Sequence, residues 1–214
     1  MATYVLSDLH GDWIHFRLML LKIRFSRADH LYILGDVVDR GPHGIRLLQF
    51  IRQQENMTLL LGNHDLMLLQ SLPHFDDPDG AAWFDPQTYA ELRRLSAPER
   101  AQLARDLAAL PLYLTVSAGG QEYFLVHASP APPGVSGMDA VEYYLWHRVS
   151  PGDVFDVPVI AGHTPTAYYQ QTVPLRIWRN GNYTDIDCGT AFRAAVPGAC
   201  LACLRLDDNK EFYV

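Results

Sequence analysis

Six side chains that can bind metal ions follow short apolar runs at separate points along the chain. Together they offer two carboxylates, three imidazoles and one amide oxygen. This mixture of oxygen and nitrogen donors suits a pair of divalent transition ions, because calcium prefers oxygen ligands alone. Two ions can act on one reaction when they lie about 3.5–4 Å apart, and a carboxylate must then bridge them. The candidate ligands are Asp8, His10, Asp36, Asn63, His127 and His163.

Asp36 is the expected bridge between the two ions. It opens the loop that follows the central one of three N-terminal apolar runs, so it can face ligands on either side. Two carboxylates against two dications leave such a site with net positive charge, which favours phosphate binding. The ions would also acidify a bridging water, and the resulting hydroxide would attack phosphorus directly.

Four further polar residues can complete this chemistry. Arg40 and Arg148 are suited to hold phosphate oxygens by bidentate hydrogen bonds. His64 follows the candidate ligand Asn63, so it should lie near the metals without binding them and could protonate a leaving alkoxide. Asp39 could accept the other ring N–H of His64, which fixes the tautomer and raises the pKa of the imidazole.

The elements that would position these residues alternate regularly in the first 70 residues. Strand, loop and helix follow one another three times, which predicts parallel strands joined by right-handed crossovers. The three polar loops then meet at one edge of a sheet. In the first helix the apolar residues Ile14, Leu18 and Leu21 recur at helical spacing and define the expected buried face. The predicted strands are 3–6, 31–34 and 57–61, and the predicted helices are 13–24, from Pro42 onward, and 64–72.

The remaining sequence predicts an insertion and a second sheet. Residues 73–86 form an irregular flap, and two helices that split at Ala97-Pro98 follow before residue 110. From residue 112 the apolar period shifts to two, which is typical of strands. We therefore expect one α/β domain over residues 1–214 (α+β by some schemes), with a flap and helical insertion at about 73–110. Its second sheet would contain strands 112–116, 122–126, 157–161, 175–178, 184–187 and 199–206, with a short helix at 139–146 and an edge pairing at 212–214.

Each candidate residue also has a simpler interpretation. Asp8 and Asn63 could cap turns or helices, and Asp39 with Arg40 could form a surface ion pair of little energetic value. An Arg such as Arg148 after a short helix is commonly a solvated C-terminal charge. Asp187, at the end of a predicted strand, could lie behind the metal ligands, but a surface position is favoured.

Composition restricts the function classes. The chain has 214 residues and a formal net charge of −7, which argues weakly against a general nucleic-acid binder. No apolar run reaches membrane-spanning length, and no basic segment precedes the first strand, so neither membrane association nor a signal peptide is expected. Cys188, Cys200 and Cys203 form neither a disulfide framework nor a zinc site, which indicates a reducing cytoplasm.

Five ordered motifs in this sequence resemble the signature of calcineurin-like metallophosphoesterases. The Asp-Arg-Gly after the bridging Asp is similar to that of the phosphoprotein-phosphatase branch. Leu61, Asp65 and Ala128-Ser129 depart from the eukaryotic members, whose C-terminal regulatory motif is also absent. The chain thus looks like a small bacterial or phage-type enzyme without an obligatory regulatory subunit. The motifs are Asp8-Leu9-His10-Gly11, Gly35-Asp36-x-x-Asp39-Arg40-Gly41, Gly62-Asn63-His64-Asp65, Val126-His127-Ala128 and Gly162-His163-Thr164.

The resemblance implies a two-sheet β-sandwich flanked by helices, with two metal ions. Asp36 would be shared between a first metal, also bound by Asp8 and His10, and a second, bound by Asn63, His127 and His163. His64 with Asp39 resembles the family's acid pair, Arg40 matches a phosphate-binding arginine, and Trp146-His147-Arg148 resembles a Trp-x-Arg motif of small phosphatases. Manganese is the expected metal, and the donors also accept iron or zinc.

Three functions remain open from the sequence. The first is a serine/threonine protein phosphatase acting on a phosphoprotein or a small phosphorylated substrate, favoured because the acidic segment 75–80 offers few cations for a four-phosphate chain. The second is a symmetrical bis(5'-nucleosyl)-tetraphosphatase, which hydrolyses diadenosine tetraphosphate and shares every motif. The third is a non-catalytic metal-binding scaffold, which would require the loss of a ligand or an acid.

Overall fold

The computed structural model of the chain describes residues 1–171 and 173–214, and its strands form two five-stranded sheets. The first sheet has the order β10-β9-β1-β2-β3 and the second the order β4-β5-β6-β8-β7. The strands are β1 (Thr3–Leu6), β2 (His30–Ile33), β3 (Met57–Leu59), β4 (Tyr113–Ala118), β5 (Gln121–Val126), β6 (Val159–Ala161), β7 (Trp178–Asn180), β8 (Tyr183–Asp185), β9 (Ala202–Arg205) and β10 (Lys210–Tyr213).

Alternating side chains of β1 divide the apolar interior into layers. Val5 points into the cluster between the two sheets, with Leu125 and Ile160 of the second sheet. Its neighbours Tyr4 and Leu6 join the cluster on the opposite face, which the helices of the N-terminal half cover. The helices are α1 (Trp13–Lys22), α2 (Gly44–Arg52), α3 (Asn63–Ser71), α4 (Pro86–Leu92), α5 (Ala97–Ala108) and α6 (Gly137–Trp146), and short 3-10 turns occupy Leu72–His74, Gly80–Trp83, Thr166–Tyr168 and Thr190–Phe192.

The three N-terminal repeats fold as the sequence predicts. Strands β1, β2 and β3 are parallel, with Leu6 opposite Ile33 and Ile33 opposite Leu59. The polar loops therefore leave the sheet at the same edge. Helix α2 buries Ile45, Leu48 and Ile51, whereas the expected flap at 73–86 contains two 3-10 turns before α4.

The predicted buried face of α1 is wrong. Ile14, Leu18 and Leu21 are 63%, 46% and 71% exposed, and the helix instead buries Phe16 and Met19. Two apolar stripes run along this helix, and periodicity alone does not say which of them meets the sheet. The stripe with Phe16 faces the sheet, and Ile14 is left at the surface.

Strand β9 lies in the first sheet, not in the second as predicted. It pairs antiparallel with β1, placing Leu204 opposite Val5, and β10 extends the same sheet. Both faces of β9 are buried, since Cys203 packs under the helices and Leu204 between the sheets. A strand that is buried on both faces has the same sequence pattern in either sheet. Its sequence therefore does not indicate which sheet it joins. The strand expected at 175–178 begins later, as β7, and pairs with β8.

Among residues 1–171 and 173–214, no helix is both long enough and apolar enough to cross a bilayer.

Candidate metal centre

Backbone hydrogen bonds lock the loops after β1 and β2 together. The amide of Asp8 donates to the Gly35 carbonyl at 3.2 Å, and the amide of His10 donates to the Asp36 carbonyl at 2.9 Å. Gly35 lies directly against the third loop, because a Cβ built on it would lie 2.5 Å from the Gly62 Cα. The three loops thus form one packed unit at the edge of the first sheet.

Most residues of the candidate site have left-handed backbone conformations. Positive φ values occur at six of the predicted site residues, although non-glycine residues seldom adopt them. Such strain persists only where the surrounding structure over-determines it, and it concentrates at functional sites. The six residues are Asp8 (51°), His10 (42°), Asp36 (53°), Asp39 (65°), Arg40 (68°) and His163 (68°).

Asp65 braces these loops from within α3. Its buried carboxylate accepts the amides of Asp36 at 2.8 Å, Val37 at 3.1 Å and Gly62 at 3.1 Å. Three amides from two loops are therefore satisfied by one side chain, which fixes the backbone on which Asp36 stands.

Asp36 belongs to two groups of possible ligand atoms. One group contains His10 and His64 and the other contains His127 and His163, and within each group the donor atoms lie within 4.8 Å of one another. The Asp36 Oδ2 is 3.6 Å from the His10 Nε2, and its Oδ1 is 3.5 Å from the His127 Nε2. Asp36 thus lies between the two groups, where the sequence predicts a bridging carboxylate, but the first group contains His64 in place of the predicted ligand Asp8.

The candidate imidazole ligands are oriented by backbone carbonyls. His10 Nδ1 lies 3.0 Å from the Val38 carbonyl and His127 Nδ1 lies 2.7 Å from the Leu34 carbonyl, so each ring directs its Nε2 toward Asp36. In His163 the Nε2 contacts the Trp146 carbonyl at 3.1 Å, which leaves Nδ1 to face the site. Second contacts of this kind fix the tautomer of metal-binding histidines.

Asn63 and Asp8 complete the predicted ligand set. The Asn63 Oδ1 lies 2.9 Å from His127 Nε2 and 3.0 Å from His163 Nδ1, so three donors from both sheets converge on one point. Asp8 is 2% exposed, and its Oδ2 accepts a hydrogen bond from the His163 amide at 3.0 Å.

Electrostatics at this centre fit bound cations. Burial and the charge of Asp8 raise the pKa of Asp36 well above its usual value. Burial, with the neighbouring charge of His127, lowers the pKa of His163 to about 3, so its ring is neutral and able to donate a lone pair. Crowded buried carboxylates beside neutral imidazoles are the donor chemistry of a divalent-metal site.

His64, whose ring belongs to the first of the two groups, is held by residues outside the predicted ligand set. Its Nδ1 is 2.7 Å from the Asp39 Oδ2, and its Nε2 is 3.2 Å from an Arg40 Nη. Thr88, from α4, donates to the Asp39 Oδ1 at 2.7 Å. Burial lowers the pKa of His64, but the Asp39 hydrogen bond and the charges of Asp36 and Asp39 outweigh it, so the pKa is raised.

A cavity of about 480 Å³ opens above the cluster. Arg40 and Arg148 both line it, and Trp146 and Phe192 form parts of its wall. The Arg40 guanidinium lies 4.8 Å from the ring centre of Phe192, and that of Arg148 lies 5.4 Å from the Tyr168 ring. The ten predicted site residues thus converge here, with Asp39 behind His64 and the fully buried His127 behind Asn63.

The expectation for Asp187 is wrong, because this residue lies in the site. It is 5% exposed and lines the cavity, and burial with the charge of Asp8 raises its pKa. Its position after β8, at the edge where His163 follows β6, was the available signal. The sequence gives no comparable sign of Thr88, Phe192 or Tyr168, which only tertiary packing brings close.

The chain belongs to the calcineurin-like phosphoesterase family, whose sequence profile matches residues 1–186. This family uses divalent metals, in agreement with the two ligand groups that share Asp36. The metal-dependent phosphoesterase class expected from the motifs is confirmed, and so is the two-sheet fold.

Among sequence relatives, the symmetrical bis(5'-nucleosyl)-tetraphosphatase of Haemophilus ducreyi is 37% identical over 134 residues. The match covers 62% of this chain and 46% of that protein. The enzyme of the same name from Acidovorax ebreus is 36% identical over 134 residues, again 62% of this chain, with 45% of its own length matched. The chain therefore spans about half the length of the relatives that it matches.

Solved structures share the fold at low identity. A metallophosphoesterase from Sphaerobacter thermophilus superposes with a TM-score of 0.65 and 19% identity, covering 100% of this chain and 86% of that one. A protein serine/threonine phosphatase from Saccharomyces cerevisiae gives a TM-score of 0.64 at 13% identity, covering 100% and 79%. Enzymes with different printed activities share this architecture, so the fold alone does not select a substrate.

Proposed function

We propose that this chain hydrolyses symmetrical dinucleoside tetraphosphates, releasing two nucleoside diphosphates. The observation that carries the substrate class is that two relatives, 37% and 36% identical over 134 residues, are named for this activity. The serine/threonine phosphatase that the sequence favoured is the weaker alternative, because its support among the solved structures is a shared fold.

The acidic segment 75–80, which offers few cations for a four-phosphate chain, does not line the catalytic cavity. In the described structure Asp76 and Asp77 pair with Arg100 and His74. Arg40 and Arg148 face the cavity instead, which suits a polyanionic substrate.

Two divalent cations would be held by Asp8, His10, Asp36, Asn63, His127 and His163, with Asp36 shared, and we expect manganese, with iron or zinc as alternatives. When bound they supply Lewis-acid activation of water and neutralise phosphate charge. Arg40 and Arg148, which both line the cavity, would bind nonbridging phosphate oxygens. His64 would then direct Nε2 at the leaving oxygen, while Asp39 and Thr88 hold its orientation.

A hydrolysis panel tests this assignment. Purified protein with added manganese is given diadenosine tetraphosphate, a phosphoserine peptide and p-nitrophenyl phosphate at matched concentrations. We expect diadenosine tetraphosphate to have the highest kcat/KM, with ADP as the sole nucleotide product. A higher kcat/KM for the phosphopeptide, or release of AMP and ATP, would reject the proposal.

The variant Asp36→Asn, purified in the same way, controls for contaminating hydrolases. It should lose every activity of the panel, because the shared ligand is removed.

A further inference from the structure

A second groove adjoins the catalytic cavity and shares two of its walls. It has a volume of about 310 Å³ and lies between the segments 10–15, 40–43 and 190–194. His10 and Arg40 line both spaces. A ligand that passes the Arg40 guanidinium can therefore extend from one space into the other.

The charge balance of this groove favours an anionic ligand, although the chain as a whole carries −7. Arg40, His43 and Arg193 line it, and the Arg193 Nη1 also donates to the Val214 carbonyl at 2.6 Å. Asp12, the carboxylate among its lining residues, already contacts His15 with its Oδ2 2.7 Å from the ring Nδ1. Local positive charge of this kind raises the concentration of an anionic substrate at the site.

The outer walls are apolar and open. Ile14 is 63% exposed at the rim, and Pro42, Ala191 and Ala194 provide flat or small surfaces. Ile14 lies on the stripe of α1 that packing in the interior does not use. A cationic entrance at Arg40 followed by an apolar body matches a phosphate chain that ends in a nucleoside.

The direction of His64 assigns the groove to one half of the substrate. Because Asp39 holds Nδ1, the Nε2 edge of the ring faces Arg40, whose Nη lies 3.2 Å away at the boundary between the two spaces. The leaving oxygen must lie on that edge, so the departing group continues toward the groove. The other half then lies along Arg148 and Trp146, which line the catalytic cavity but not the groove.

We infer that the groove bounded by Ile14, Pro42 and Ala194 binds the leaving nucleoside diphosphate and selects substrates that carry a nucleoside beyond the phosphate chain. This inference rests on the proposed function and deepens it. Hydrolysis into two equal products requires room for a nucleotide on each side of the attacked phosphorus, and the groove supplies that room on the leaving side.

Filling the groove tests the inference. Ala194 is exposed and lines the groove, and Ala195 is exposed beside it but does not line it. We expect Ala194→Trp to raise the KM for diadenosine tetraphosphate and the inhibition constant of ADP at least about tenfold. Hydrolysis of p-nitrophenyl phosphate, which has no nucleoside, should be unchanged. The matched variant Ala195→Trp should leave all three quantities unchanged.

A second variant introduces charge at the rim. Ile14→Glu places a carboxylate on an exposed helical position, which the fold tolerates, and should also weaken ADP inhibition while sparing p-nitrophenyl phosphate. Equal effects on both substrates, or no effect of either variant on ADP, would overturn the subsite while the proposed function stands. Failure of the unmodified enzyme to cleave diadenosine tetraphosphate would reject the proposed function itself, and the subsite with it.

Discussion

The loops of the first sheet and the loops of the second sheet build the site in different ways. Those of the first sheet interlock through backbone hydrogen bonds and the buried carboxylate of Asp65. Those of the second sheet bring His127 and His163 into the centre, but around them place exposed rings such as Tyr168, which is 66% exposed, and Phe192, at 37%.

This difference separates two tasks. Positioning metal ligands and a proton donor requires errors well below an ångström, and the packed, strained loops of the first sheet meet that requirement. Contacts with substrate groups farther from the chemistry tolerate more freedom, and the open loops of the second sheet provide them. Substitutions of the interlocked loop residues of the first sheet should therefore abolish chemistry or folding, whereas substitutions of the exposed rings around the site should change KM.

The largest expected effect is that of Asp36→Asn. Because both ligand groups share this carboxylate, the variant should bind less of both metals and lose a factor of about 10³ or more in kcat. Metal analysis of the purified protein together with hydrolysis rates measures both quantities. His163→Asn, on the second sheet, should weaken the binding of one metal only. Full occupancy of both metals in Asp36→Asn would contradict the proposal that Asp36 is shared.

His64→Asn should reduce turnover by about 10²–10⁴ while both metals stay bound. A missing proton donor matters most when the leaving group is a poor one. The loss should therefore be larger for a phosphoserine peptide, whose leaving group is an alkoxide, than for diadenosine tetraphosphate, whose leaving group is the phosphate end of ADP. Loss of metal from this variant would show instead that His64 is a ligand.

The pH profile of Asp39→Asn further tests whether His64 is a proton donor or a metal ligand. Asp39 raises the pKa of His64, so the protonated ring persists to higher pH in the unmodified enzyme. Without that carboxylate the pKa falls, and the alkaline side of the kcat profile should move to lower pH. An unmoved alkaline limb would argue against His64 as the proton donor.

Substitution of two glycines by alanine compares how tightly two parts of the molecule are packed, with the free energy of unfolding as the measure. Gly35 and Gly152 have similar positive φ values, 95° and 103°, but a Cβ at Gly35 would lie 2.5 Å from Gly62, whereas Gly152 has no atom within 4 Å. Gly152→Ala should cost about 1–2 kcal/mol from backbone strain alone. Gly35→Ala adds overpacking of about 1–3 kcal/mol. Denaturant-induced unfolding measures the loss of unfolding free energy in both variants. Equal losses would contradict close packing of the loops at the sheet edge.

The same contrast explains how much of the site the sequence predicts. Repeated strand, loop and helix units place Asp8, Asp36 and Asn63 at one edge, since parallel strands end together. Local sequence contains that information. Seven of the ten predicted site residues follow these three strands, whereas His127, Arg148 and His163 come from the second half of the chain and match motifs of the known family.

Elements that depend on partners distant in sequence were less predictable. The pattern of α1 allows two buried faces, and that of β9 allows either sheet, because burial on both faces leaves no polar side to orient it. Asp187 was assigned to the surface because the end of a strand does not reveal what covers it.

Tyr168→Ala is the smallest expected effect and the closest test of the open region. Its ring lies 5.4 Å from the Arg148 guanidinium, and an exposed contact of this kind contributes about 0.5–1 kcal/mol. The variant should raise KM about two- to fivefold with kcat unchanged, since Arg148 keeps its charge but loses its orientation. Tyr168→Phe, which preserves the ring, should match the unmodified enzyme. A tenfold fall in kcat would place this ring among the reacting groups, and the division of tasks between the two sheets would then no longer hold.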